Sequence, residues 1–338
     1  MTPFIQAVED RSATLRPRSS SLVPALLVVL ALASACMEAR AQSSDPDAAR
    51  IVTDDIRRFW EAYDRLGPDA TEQDSLRVFF EGYYLPASPG LRDFIQFRMG
   101  SVYNLIDQIN AHPAYYASIR ESTLRAASFD DEIRAAYHAL DALYDDAVFP
   151  HTYIQIGILN SGGTYTEDRL LIGAEMYGLT PDTPMDELSD WHKAVLKPVE
   201  EIPHIIAHEL VHYQQQHPDS VDTLLSQSIQ EGAADVIAEL ISGQHVNAHV
   251  HAWADPREAA LWAEFSARMD GDDFSGWLYG GDREADRPAD LGYWMGYKIV
   301  RAYYDQAEDK RAAIREILTI EDFGAFLAQS GYASRFDD

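Results

Sequence analysis

Three spacings of hydrophobic residues succeed one another along the chain. From Ser21 to Ala35 they are nearly continuous, as Leu-Val-Pro-Ala-Leu-Leu-Val-Val-Leu-Ala-Leu-Ala. From Ile51 to about Val148 they recur every three to four residues. Ile51, Phe59, Trp60, Tyr63 and Leu66 share one helical face, and Leu91, Phe94, Phe97, Val102, Leu105, Ile106 and Ile109 repeat the pattern after Pro89-Gly90. Pro113, Asp130 and Asp131 open further helices. Tyr115, Tyr116, Tyr137 and Tyr144 stand at packing positions. Gln42–Arg50, polar and containing Pro46, reads as a short tether. At Pro150 the spacing drops to two. His151–Leu159 and Arg169–Glu175 read as strands, with Asn160-Ser-Gly-Gly-Thr164 as the turn between them. Beyond Pro181 and Pro184 the helical period returns, predicting helices near 199–216, 222–242, 256–269, 289–305 and 309–329. The pattern describes a mostly helical α+β protein with one small β-hairpin. It has three parts: a leader (1–41), a helical N-terminal region (42–149) and a region holding the β material and the remaining helices (150–338).

The leader is too short and too flanked by signals to be a membrane span. Arg11, Arg16 and Arg18 precede its apolar run and small residues follow it, the order of a secretory signal peptide. Two cleavage readings compete. Ala33-Ser34-Ala35 before Cys36 resembles a bacterial lipoprotein signal, which makes Cys36 a lipid attachment point on a membrane. Ala39-Arg40-Ala41 suits ordinary signal peptidase, which discards Cys36. Either way the expected location is exported, in the periplasm or cell envelope.

Charge and cysteine content narrow the function. The 338 residues carry a net charge of −28, with 55 acidic against 27 basic side chains. Such an excess repels a phosphate backbone, so nucleic acid is excluded as a partner. Losing residues 1–41 removes four arginines and three acids and leaves −29. With only four lysines, the surface reads as a hydrated exterior tolerant of high salt. The single cysteine excludes an internal disulfide and a cysteine-based zinc cluster.

Chemistry concentrates in Ile205-Ile-Ala-His208-Glu209-Leu-Val-His212-Tyr213. Histidines at i and i+4 lie on one helix face and reach one ion. Zinc favours such nitrogen donors, with Glu209 beside the water as general base. A metzincin requires Gly at 215 and His at 218, where this chain has Gln215 and Pro218, and His217 is out of register. Glu231 instead follows 19 residues after His212 on a second apolar-periodic helix. That separation lets the first helix end near His217-Pro218 and the chain return to the metal. Asp235, one turn on, is placed to accept the spare ring N–H of a zinc histidine. Gly232, Ala233 and Ala234 allow close helix contact.

His208-Glu209-x-x-His212 followed by Glu231-x-x-x-Asp235 resembles the gluzincin pattern of thermolysin-like metallopeptidases. The resemblance implies a zincin-like fold, zinc held by His208, His212 and Glu231, Glu209 as base, and Asp235 orienting a ligand, His208 first. A wider resemblance takes in Phe149-Pro150, Asn160-Ser-Gly-Gly-Thr164, Leu171-Ile-Gly-Ala-Glu175, His208–Gln215 and Gly292-Tyr293-x-x-Gly296-Tyr297. These look like predicted zinc-dependent proteases related to the gliding-motility lipoproteins. It supports the lipoprotein reading and brings no known substrate; the zinc motif leads to the expectation of an exported zinc metallopeptidase acting on peptide or protein substrates.

Around this centre the residues leave alternatives. Gly162–Glu175 is the candidate edge strand for an extended peptide; Ser161–Thr164 is equally a plain turn. Glu175 either touches substrate or is structural. Tyr293 and Tyr297 are candidate oxyanion donors, or packing residues. His204 is an outer-sphere or surface residue. His245, His249 and His251 either hold a second metal or form a solvated loop. Against catalysis stands a non-catalytic envelope lipoprotein that keeps the fold for assembly or binding. A purely structural zinc site, however, has no need of Glu209.

Overall fold

The computed structural model describes residues 42–67, 69–218, 222–279 and 287–336. The leader, both cleavage positions and Cys36 lie outside them.

Seven short helices precede the main strand: α1 (Asp54–Tyr63), α2 (Glu72–Phe79), α3 (Pro89–Phe94), α4 (Val102–Ala111), α5 (Pro113–Ser118), α6 (Arg120–Arg125) and α7 (Asp130–Leu143). Their starts follow local chemistry. Thr71 and Asp74 form a reciprocal cap on α2, and prolines occupy the first turn of α3 and α5, where no amide donor is needed. The aromatic positions turn inward: Phe59, Tyr115, Tyr116 and Tyr137 are fully buried, and Tyr144 nearly so. Phe97 does not follow the pattern. The helix widens into a π-turn over Ile95–Met99 and stops at Gly100 (φ 69°), which leaves Phe97 exposed.

The sheet corrects three expectations. Gln42–Arg50 is not a loose tether: β1 (Gln42–Ser43) pairs antiparallel with β3 (Phe149–Gln155), and a short 3-10 turn over Pro46–Ala48 follows. Ile51 belongs to β2 (Ile51–Val52), parallel to β3, and not to a helix. Two β-branched residues happened to fall on the helical period, and the strand won because Thr152 N–H donates to Arg50 C=O at 2.8 Å. The expected hairpin is also rearranged. β3 and β5 (Arg169–Gly173) run parallel, Thr152 opposite Leu170. The hairpin lies between β5 and the intervening β4 (Gly163–Tyr165), closed by a bond from Thr166 N–H to Arg169 C=O at 2.8 Å. The spatial order is β1-β3-β5-β4, so β4 forms one edge of the sheet.

After the sheet come α8 (Asp190–Val195), α9 (Ile202–Gln214), α10 (Leu224–Ser242), α11 (Ala248–Ala254), α12 (Glu258–Ser266), α13 (Leu291–Gln306), α14 (Lys310–Leu318) and α15 (Phe323–Ser330). The helix expected over 309–329 is thus two, because Asp322 caps a new start through Ala325 N–H. The 256–269 segment likewise begins with a 3-10 turn at Asp255–Arg257. One continuous hydrophobic core runs from Ala49 to Tyr332.

Two devices set the positions of the site-bearing elements. Gln214 presents its side-chain amide to Val148 as a strand would, accepting from Val148 N–H (2.9 Å) and donating to Val148 C=O (2.8 Å). This stitches the end of α9 to the start of β3. The second device is a backbone-to-backbone crossing of α10 and α13. A Cβ on Gly232 would lie 2.0 Å from the Gly296 carbonyl carbon, and one on Gly296 would lie 1.6 Å from Ser228 O.

Candidate metal centre and active site

α9 and α10 bring three donor atoms together. His212 Nε2 lies 3.0 Å from His208 Nε2 and 3.0 Å from Glu231 Oε2, and His208 Nε2 lies 3.5 Å from Glu231 Oε2. The histidines sit one turn apart on α9, which ends at Gln214, three residues before the expected position. The intervening chain then returns as α10, with Thr223 accepting from Ser226 N–H at its start.

The donor set itself shows that a cation fits. His208 Nδ1 donates to Asp235 Oδ1 at 2.9 Å, and His212 Nδ1 donates to Gln215 Oε1 at 2.9 Å. The Gln215 amide is oriented by its own bond from Nε2 to Gln230 C=O (2.7 Å). In their neutral form both rings therefore keep the proton on Nδ1, and the two Nε2 lone pairs face each other beside a carboxylate. That arrangement is repulsive without a positive charge between the donors. Two imidazoles and one carboxylate match the three-ligand set of an open zinc site.

The electrostatics agree. Burial lowers the proton affinity of His208, but Asp235 and Glu231 outweigh it and lift its pKa to about 10. Burial raises Glu231, yet His212 and His208 hold it well below the usual carboxylate range. The pocket thus draws in a cation, whether proton or metal, and the two compete as pH falls.

Glu209 follows His208 directly. Burial raises its pKa, opposed by His212 and His208. Among the described residues its carboxylate has no hydrogen-bond or ion-pair partner. It presses instead on the edge strand: a Cβ on Gly163 would stand 2.4 Å from Glu209 Oε1. Gly163 is therefore more than a turn residue, since a side chain there would push the Glu209 carboxylate aside.

The remaining candidates separate. Tyr293 on α13 stacks over His208, with ring centroids 6.1 Å apart, and lines a cavity with Glu209. Among the described residues its hydroxyl has no hydrogen-bond partner. Tyr297 turns elsewhere, donating to Glu239 Oε2 at 2.6 Å and packing on His245 and His251. Those two imidazoles lie 4.1 Å apart by ring centroid. His245 Nδ1 accepts from Asn247 N–H (2.9 Å), so the neutral ring carries its proton on Nε2 and cannot offer that atom to a second metal.

Glu175 is wholly buried and accepts from the amides of Gly157 (2.7 Å) and Leu159 (3.2 Å), shaping the loop that leads into β4. Burial outweighs those bonds and pushes its pKa up to about 7. A folded-state pKa above the unfolded one means stability is full at acid pH and falls as pH rises from about 4.5 to about 7. Glu175→Gln should therefore gain on the wild type by roughly 3 kcal/mol at most between pH 5 and pH 8. Denaturant midpoints at the two pH values check this; a constant difference contradicts it.

Several contributors have little sequence signal. Tyr165 of β4 stacks on His212 at 6.5 Å. Tyr279 O–H donates to Gln227 Oε1 at 2.9 Å and reaches Glu231 Oε1 at 3.4 Å. Asn247 Nδ2 donates to Asp235 Oδ2 at 2.8 Å, backing the residue that orients His208. Only Gln215 was within reach of pattern reasoning, being three residues from His212 on the same face.

Fold and site together define an α+β protein in which two histidines and one glutamate cluster closely enough to hold a metal ion. Residues 152–321, about half of the chain, match a family described as predicted Zn-dependent protease (DUF2268), and the chain belongs to that family. No curated protein and no solved structure matches it.

Proposed function

We propose that the protein is a zinc metallopeptidase of zincin-like, gluzincin type, exported to the cell envelope with Cys36 as its lipid attachment point. The observation that carries the catalytic reading is the placement of Glu209. Its unpaired carboxylate lines one cavity with His208 and faces the backbone of β4 at Gly163. His208, His212 and Glu231 would hold the ion. When bound, zinc supplies Lewis acidity, lowering the pKa of water and polarising a carbonyl. Each remaining task falls to a side chain or strand already described. The β4 edge pairs with the backbone of an extended peptide and so fixes the scissile bond. Glu209 takes the proton of the attacking water at its carboxylate and passes it to the leaving amine. The raised pKa of Glu209 suits both halves of that transfer. The unpartnered Tyr293 hydroxyl donates to the oxyanion that forms. Asp235, Gln215 and Asn247 hold the imidazoles in the one tautomer that works.

Two measurements test the reading. Glu231→Ala should lose more than about 100-fold in zinc affinity, beyond the loss expected for an outer hydrogen-bond partner. It should also lose hydrolysis of a peptide library; full zinc stoichiometry removes Glu231 from the ligand set. Gly163→Ala should keep zinc but displace Glu209, lowering kcat by about 10- to 100-fold. Wild-type turnover in that variant contradicts the role given to the β4 contact.

A further inference from the structure

The cavity beside Glu209 encloses about 250 Å³. That is room for a single side chain, smaller than the roughly 300–1,000 Å³ of a site for a whole small molecule. Its walls are mixed, with Met176, Trp191 and Val195 standing beside Glu209, Asn247 and Asp290. Lys197 supplies an ammonium group to the same lining. Its Nζ donates to Val246 C=O at 2.7 Å, and among the described residues no carboxylate lies within ion-pairing distance of it. Of the four lysines, Lys193 and Lys298 pair with carboxylates, whereas Lys310, like Lys197, donates to backbone carbonyls. Glu209 and Asp290 also line the cavity, and the charges of Glu201, Asp235 and Asp290 are felt at Lys197.

The ammonium is held in place. Lys197 N–H donates to Met176 C=O at 3.0 Å, and Lys197 C=O accepts from Leu179 N–H at 3.1 Å. Burial lowers its pKa, against the pull of Glu201, Asp235 and Asp290. An ammonium has three donors and this one has a single protein acceptor, so two remain for a guest. A partly desolvated ammonium with a carbonyl as its direct acceptor is costly, and a carboxylate guest offsets that cost by a charge-assisted hydrogen bond.

We propose that this cavity is the specificity pocket and that it receives a carboxylate of the substrate, read by Lys197. The inference rests on the peptidase reading above. A carboxylate reaches this place from either of two sources: an acidic side chain flanking the scissile bond, or the free C-terminus of the peptide.

The test uses zinc-loaded Glu209→Gln protein, which retains substrate without turning it over. A positional peptide set carrying Glu, Gln, Leu or Lys, each as free acid and as C-terminal amide, is titrated against it. Trp191 fluorescence reports occupancy of the cavity. Carboxylate peptides should bind at least about 10-fold tighter than their amide isosteres, the worth of one charge-assisted bond. If the source is a side chain, the preference survives C-terminal amidation; if it is the C-terminus, amidation removes it. Adding Lys197→Met, which keeps the long apolar stem, should abolish the preference, and Lys197→Glu should turn it toward lysine. Equal binding of acid and amide peptides, or a preference that persists in Lys197→Met, overturns the assignment. Because binding is read in an inactive variant, the two readings fail separately. Wild-type protein that cleaves nothing removes the peptidase reading alone. Cleavage with no preference dependent on Lys197 removes only the pocket.

Discussion

Glu209→Gln should bind zinc one-to-one and lose about 10²- to 10⁴-fold in kcat, the share of the rate that a positioned acid–base group supplies. The substitution is nearly isosteric. Among the described residues Glu209 has no hydrogen-bond partner to lose, so the contact with Gly163 should persist. What disappears is the ability to hold a proton between water and leaving group. The same change removes a carboxylate whose pKa is raised by burial. The variant should therefore be no less stable than the wild type at neutral pH, and this separates lost chemistry from lost folding. Metal analysis, a peptide-library digest and a denaturation curve on one preparation settle the matter. Activity within about 10-fold of wild type would contradict the assignment of Glu209 as base.

A second large effect is expected far from the reacting atoms. Gly296→Ala places a methyl group where Ser228 O already lies, 1.6 Å away, with the Ser228 carbonyl carbon at 2.4 Å. The obstacle is helix backbone, so relief requires moving α10 bodily away from α13. The expected loss is above about 4 kcal/mol, in the range reserved for overpacking and broken networks. Any folded fraction should also bind zinc poorly, because α10 carries both Glu231 and Asp235. The check is the denaturant midpoint together with zinc stoichiometry; a change within about 1 kcal/mol with full metal loading would contradict the crossing.

The metal group is legible in the sequence because helical spacing alone puts His208 and His212 on one face, and one intervening turn returns Glu231. The helical preamble is legible for the same reason of periodicity. The sheet is less so. Parallel pairing of β3 with β5 is a long-range choice, and a glycine-rich stretch between two strands reads locally as a hairpin turn. β1 and β2 are two residues each, too short for any alternation to appear. The outer parts of the site are illegible for a related reason. Lys197, Asn247 and Tyr279 reach the centre from loops or helix margins, and no period links them to the motif. The two tyrosines of α13 show the limit within a single helix. Tyr293 and Tyr297 share a face by spacing, yet one turn of rise takes Tyr297 to Glu239 and away from His208.

The β4 edge has a consequence for the protein in concentrated solution. An edge that accepts a substrate strand accepts a neighbour's strand by the same bonds, and exposed edges are where sheets join into aggregates. Here the edge is three residues long and belongs to a chain of net charge −28. Brevity limits how many bonds a wrong partner gains, and like charge keeps copies apart at low ionic strength. On the proposed reading a single feature thus both admits a peptide and restrains self-assembly, and salt weakens the charge part of that restraint while leaving the length part intact.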